Sequence, residues 1–105
     1  MDRITSFEVR AERIADRYGL EKQSVVLMEE CAELIQAVSK MIRGEAERQQ
    51  TIDHITEEIA DVEICIAQCK HLLEIPDADI HRWMRYKLTR AENHIANEED
   101  DCYDE

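Results

Sequence analysis

Residues 29–33 read EECAE and residues 57–61 read EEIAD. Each stretch sets three carboxylates within five residues, inside a segment whose apolar residues recur at helical spacing. On a helical wheel, at about 100° per residue, the six acids separate. Glu30 borders the apolar stripe of its segment, Glu33 lies beside it, and Glu29 points furthest toward solvent. Glu58 falls inside the edge of the next stripe, Asp61 just outside it, and Glu57 points away. Glu30 with Glu33, and Glu58 with Asp61, are i,i+3 pairs, so each pair shares a face. Carboxylates at the edge of a core repel one another and lose hydration, which calls for a counter-charge. Four convergent oxygen donors suit a hard divalent cation, Mg²⁺ or else Mn²⁺, better than Zn²⁺. A solvated acidic face is the plainer reading of one such pair. Two pairs on successive helices, both bordering apolar stripes, put a metal on an equal footing with that reading.

Cationic and aromatic residues complement these acids. Trp83, Lys87, Arg90 and His94 line one flank of the last apolar stripe, and Lys40 shares the flank of Glu29 and Glu33. Cations near a metal-binding cluster suit a phosphate held between metal and base, although Lys87 and Arg90 fit a surface role equally. Trp83 fits either core packing or stacking on a nucleobase.

The elements that must position these residues are four helices. Phe7, Ala11, Ile14, Ala15 and Tyr18 mark a helix over about 3–18, stopped by Gly19. Leu27, Cys31, Leu34, Val38, Met41 and Ile42 mark one over about 21–43, stopped by Gly44. Ile52, Ile55, Ile59, Val62, Ile66, Cys69 and Leu73 mark a third over about 48–74, ended by Pro76. Asp77 or Asp79 caps a fourth over about 78–97, with Ile80, Met84, Leu88, Ala91 and Ile95 as its stripe. Two glycines and one proline in 105 residues leave little punctuation for strands. The expected fold is all-α, a four-helix bundle-like domain over 1–97 with short connections and mostly antiparallel neighbours. Ala60, Ile64 and Ala67 form a second apolar patch on the third helix, which favours an oligomer over a purely central helix.

The net charge is −12, and the stretch EEDDCYDE (98–105) carries six of the acids, which reads as a disordered acidic tail. That balance argues against binding a nucleic-acid backbone. No run is long and apolar enough for a membrane span, and MDRITSFEVR has no signal-peptide core. Cys31, Cys65, Cys69 and Cys102 lack metal-ribbon spacing and read as reduced thiols of a cytoplasmic protein.

EECAE (29–33) followed by EIAD (58–61) resembles the EExxE…ExxD signature of the MazG-like all-α nucleoside triphosphate pyrophosphohydrolases. The resemblance covers about residues 5–95 and rests on the double motif, since either half alone is weak. It implies a MazG-type fold, with Mg²⁺ held by Glu30, Glu33, Glu58 and Asp61. It implies Glu29 as an outer ligand or as the base that activates water, and Lys87 as a phosphate contact. The implied reaction is NTP + H₂O → NMP + PPi, with Lys87, Arg90 or Lys40 countering charge on the phosphates. Homodimers or homotetramers are implied too, with house-cleaning or pool balance as the cellular role. The pattern departs after Lys87. Position 91 is Ala where many members carry Asn, and the stretch reads YKLTRAENHI, so neither base nor sugar is implied.

Two rivals come from other classes. A di-iron carboxylate bundle needs Glu-x-x-His on two helices, and no Glu here has His three residues later. A catalytically inactive helical module, binding nucleotide or protein, would keep the acidic faces as solvent or partner surfaces.

Overall fold

A computed structural model describes residues 6–103 of the chain, with side chains through residue 98. It contains four α-helices: α1 (Phe7–Tyr18), α2 (Leu20–Arg43), α3 (Arg48–Leu72) and α4 (Asp77–Tyr103). No strand occurs among the described residues. The all-α, four-helix expectation therefore holds.

Local chemistry sets the ends of these helices. The Ser6 hydroxyl caps α1 by accepting the Val9 N–H at 3.1 Å. Gly19 donates its N–H to the Ala15 carbonyl at 2.8 Å, and its own carbonyl accepts the Gln23 N–H at 3.1 Å. One residue thus closes α1 and opens α2, at φ +89°, a conformation that L side chains rarely adopt. Gly44 closes α2 in the left-handed region at φ +68°. The Glu47 carboxylate caps α3 through the Gln49 N–H at 3.0 Å. The Pro76 carbonyl accepts the N–H groups of Asp79 and Ile80, so Asp77 and Asp79 lie in the first turn of α4 rather than at its cap. The expected boundary at residue 97 falls inside α4, which carries the acidic stretch on as helix to Tyr103; residues 104–105 lie outside the described residues.

The chain forms two compact units divided at Ile75, where the sequence suggests one domain over 1–97. The first unit packs α2 against α3 and α1 against both. The second consists of α4 and the residues leading into it.

The inward face of the first unit departs from the expected stripes. Its buried residues are Ala11 and Ala15 on α1, Gln23 and Ala37 on α2, and Glu58, Cys65 and Gln68 on α3. Phe7, Ile14, Tyr18, Met41, Ile42, Ile52, Ile59, Ile66 and Leu73, all expected in the core, are exposed. On α3 the inward row runs Glu58, Asp61, Cys65, Gln68, Leu72, one residue out of step with the isoleucine stripe. Both rows follow the alternating three-and-four spacing of a helix face, so spacing alone does not choose between them.

A buried amide network ties the three helices. Gln23 donates through Nε2 to Gln68 Oε1 at 2.8 Å, and Gln68 donates through Nε2 to the Ala11 carbonyl at 3.2 Å. On the rim, His71 Nε2 lies 2.8 Å from Asp16 Oδ1 and its Nδ1 3.7 Å from Glu12, joining α3 to α1. Removing one buried amide strands its partner. Gln68→Ala is expected to destabilise the chain by about 1–3 kcal/mol. Gln23→Ala added to it should cost less than the sum of the single changes, because the two share one hydrogen bond. Urea unfolding followed by circular dichroism of the three variants checks this, and additive costs would show that the amides act independently.

Candidate metal centre

The packing of α2 on α3 brings the four inward acids together. One carboxylate oxygen from each of Glu30, Glu33, Glu58 and Asp61 lies within 4.8 Å of the others. Each helix contributes an i,i+3 pair, which puts both of its carboxylates on one side of the helix. Glu58 is buried at 5% exposure, Glu30 and Asp61 are half-buried, and Glu33 is exposed. The cluster therefore runs from the helix interface out to solvent.

Its electrostatics follow from burial and crowding. Burial, then the charges of Glu33 and Asp61, push Glu30 up from 4.5 to about 7, and hydrogen bonds from Glu30 to those two acids act in the same direction. Burial also raises Glu58, chiefly helped by Glu33, with Asp61 adding to it; His54 opposes the shift. Of the neighbours acting on Glu30 and Glu58, His54 alone can carry positive charge. Its Nδ1 lies 3.9 Å from Glu58 Oε1, one turn back along α3. Burial raises the Cys65 thiol too, and Glu30 and Asp61 add to this. Cys31, Cys65 and Cys69 are free thiols.

Two atoms mark the site as incomplete in itself. Glu30 Oε2 and Glu58 Oε2 are buried and have no hydrogen-bond partner among the described residues. A buried carboxylate oxygen without a donor costs free energy that a bound cation would recover. The donor set is all oxygen and fits a hard divalent ion such as Mg²⁺ or Mn²⁺.

The other candidate residues lie elsewhere. Glu29 is exposed on α2, next in the chain to Glu30 but outside the group of four, and Glu57 is exposed on α3. Lys40 is exposed two turns beyond Glu33, and its charge acts on Glu45. Lys87, Arg90 and Trp83 belong to α4, in the second unit, and all three are exposed. Trp83 is therefore not a core residue of that unit. It meets Tyr86 edge-on with ring centroids 6.0 Å apart, and the Arg90 guanidinium lies over Tyr86 at 5.6 Å. Arg85, Tyr86, Thr89, Arg90 and Asn93 line a shallow groove there. His94 pairs with Glu98 at 3.1 Å.

Sequence reasoning selected the four clustered acids but missed His54. Its signal is its spacing, since residues 54, 58 and 61 fall on one side of a helix. Comparison of the chain with known protein families, with curated proteins and with solved structures returns no match.

The raised Glu30 makes metal-free stability depend on pH with a definite sign. The folded chain keeps this proton up to about 7, whereas the unfolded chain releases it near 4.5. The folded state thus binds more protons across that window. Stability from this group is fully present below about 4.5 and is lost as pH rises through about 7. Melting curves in EDTA should show Tm falling across the window, with a smaller fall for Glu30→Gln. Equal pH slopes for the two proteins would show that Glu30 titrates as an ordinary surface acid.

Proposed function

We propose that this chain is a divalent-metal-dependent nucleoside triphosphate pyrophosphohydrolase of the MazG-like kind, converting NTP and water to NMP and pyrophosphate. The observation that carries the reading is the convergence of Glu30, Glu33, Glu58 and Asp61 around buried oxygens that lack partners. These are the positions that the EExxE…ExxD resemblance selects. When bound there, Mg²⁺ would neutralise triphosphate charge and supply Lewis-acid activation of water.

The chain's own residues then divide the remaining work. Glu30, Glu33, Glu58 and Asp61 hold the ion. Glu29, exposed beside this group in sequence, accepts the proton as water attacks phosphorus. Lys87, Arg90 or Lys40 offsets the negative charge of the reacting phosphates and of the departing pyrophosphate. Trp83, exposed on α4, offers a ring face to a nucleobase. The proposed setting is the cytoplasm, with a nucleotide-pool or house-cleaning role.

The chain acts as a homo-oligomer, a dimer or a tetramer. The core of the first unit holds only alanines, one cysteine and polar groups, and no large side chain is fully buried among the described residues. Meanwhile Ile52, Ile59, Ile66 and Leu73 are exposed at intervals of seven, as are Met28, Ile35 and Ile42. Heptad-spaced apolar rows are built to pack against other helices, and a second copy supplies matching ones. Light scattering at micromolar concentration should give a multiple of 12.3 kDa, and Ile66→Glu should reduce it to the single chain or prevent folding. A wild-type monomer would end the assembly reading.

Profiling a nucleotide panel with Mg²⁺ and scoring pyrophosphate release tests the activity directly. Binding without release would identify the inactive module instead. The sharper test uses neighbouring residues. In Mg²⁺, Glu58→Gln should abolish release, because an amide is a poor ligand and the site loses one charge. In EDTA the same variant should melt above wild type, because like-charge repulsion beside buried surface is gone. Glu57→Gln, on the exposed side of α3, should do neither. Matching behaviour of the two variants would reduce the cluster to a solvated acidic face.

A further inference from the structure

The acidic cluster has a fifth neighbour of different chemistry. His54 precedes Glu58 by four residues and Asp61 by seven, so all three lie along one side of α3. Its Nδ1 stands 3.9 Å from Glu58 Oε1. That is too long for a hydrogen bond, yet short enough for the two groups to share one ion; the ring stands beside the gathered oxygens of Glu30, Glu33, Glu58 and Asp61, which its nitrogens do not join. The imidazole is about half exposed, at 49%, while the Glu58 side chain beside it is at 6%. A half-exposed ring turns without disturbing the core. Glu58 is the nine-tenths-buried acid of the group, and its other oxygen, Oε2, has no hydrogen-bond partner among the described residues.

We propose that His54 is a nitrogen ligand of the cation held by Glu30, Glu33, Glu58 and Asp61, and that it tunes the site toward Mn²⁺ over Mg²⁺. The proposal rests on the metal reading above and specifies the class of ion. Residues four apart on a helix face form a natural pair of metal ligands, as in helical His-x-x-x-His sites. An all-oxygen site serves Mg²⁺ well, because Mg²⁺ prefers oxygen and keeps its water. One neutral imidazole shifts the balance toward ions that accept nitrogen, and affinity at mixed nitrogen and oxygen sites rises along the first-row series that begins with Mn²⁺. Carboxylates remain the majority of the donors, which keeps the site away from the softer, sulfur-seeking ions.

The test reads the ligand atoms themselves. Electron spin echo spectroscopy of the Mn²⁺-loaded full chain detects a directly coordinated nitrogen. The chain has four histidines, so variants assign the signal. The expected result is a nitrogen coupling in wild type that survives His81→Gln, on α4, and disappears in His54→Gln. Calorimetric titration should show Mn²⁺ affinity falling about tenfold in His54→Gln while Mg²⁺ affinity changes by less than about twofold. Mn²⁺ binding without nitrogen coupling in wild type, or coupling that persists in His54→Gln, would overturn the role of His54 and leave the carboxylate site standing. Failure of wild type to bind either ion would sink both readings together.

Discussion

Glu58 is a carboxylate pressed into the seam between α2 and α3, with Glu30, Glu33 and Asp61 around it. Burying a carboxylate is costly, and burying it among others is costlier still, because each charged neighbour repels it. The acids respond as such groups do, with Glu30 and Glu58 holding their protons more tightly than free glutamate. Much of the rest of the first unit can be understood as what keeps this seam closed. α1 is locked to α3 through the Gln68 amide and the Ala11 carbonyl, and α2 is locked to α3 through Gln23. Each lock is polar and directional, so it sets the helix register that small alanine side chains cannot set alone.

The same seam explains the unusual outer surface. A three-helix unit whose inward rows are occupied by acids, amides and alanines has little interior left for its isoleucines. Ile35 and Ile42 on α2 and Ile52, Ile59 and Ile66 on α3 are exposed instead. Hydrophobic surface of that extent and regularity is stabilising only when something covers it. The proposed second copy would make the isoleucine stripe a core after all, shared between chains. The acidic row would then remain the inner face of each chain's own three helices. On this view polar chemistry specifies the fold of the chain, and apolar packing specifies its assembly.

Helix limits were largely legible from single residues, because capping is local. Gly19, Gly44 and Pro76 each act on backbone groups within one turn, so their identities suffice, whereas the Ser6 cap, which starts α1 at Phe7, was not among the signals read. The four clustered acids were legible for a related reason, since i,i+3 spacing on each helix places each pair on one face whatever the neighbours do. The inward face of α3 was not. Two rows one residue apart both satisfy helical periodicity, and the more apolar row is the natural choice for a core. The division at Ile75 was also hidden, because a proline ends a helix without saying what the next one packs against.

The sequence by itself determined four helices, their punctuation, and two acidic pairs each confined to one face. These are short-range properties, governed by sterics and by hydrogen bonds a few residues apart. Only the tertiary structure decided that the acidic row turns inward on α3, that Gln23, Gln68 and Ala11 meet, and that His54 stands at the rim of the cluster. Those outcomes depend on how α1, α2 and α3 dock. Docking weighs whole faces against one another, and here a polar face turned inward while an apolar one stayed exposed on the first unit.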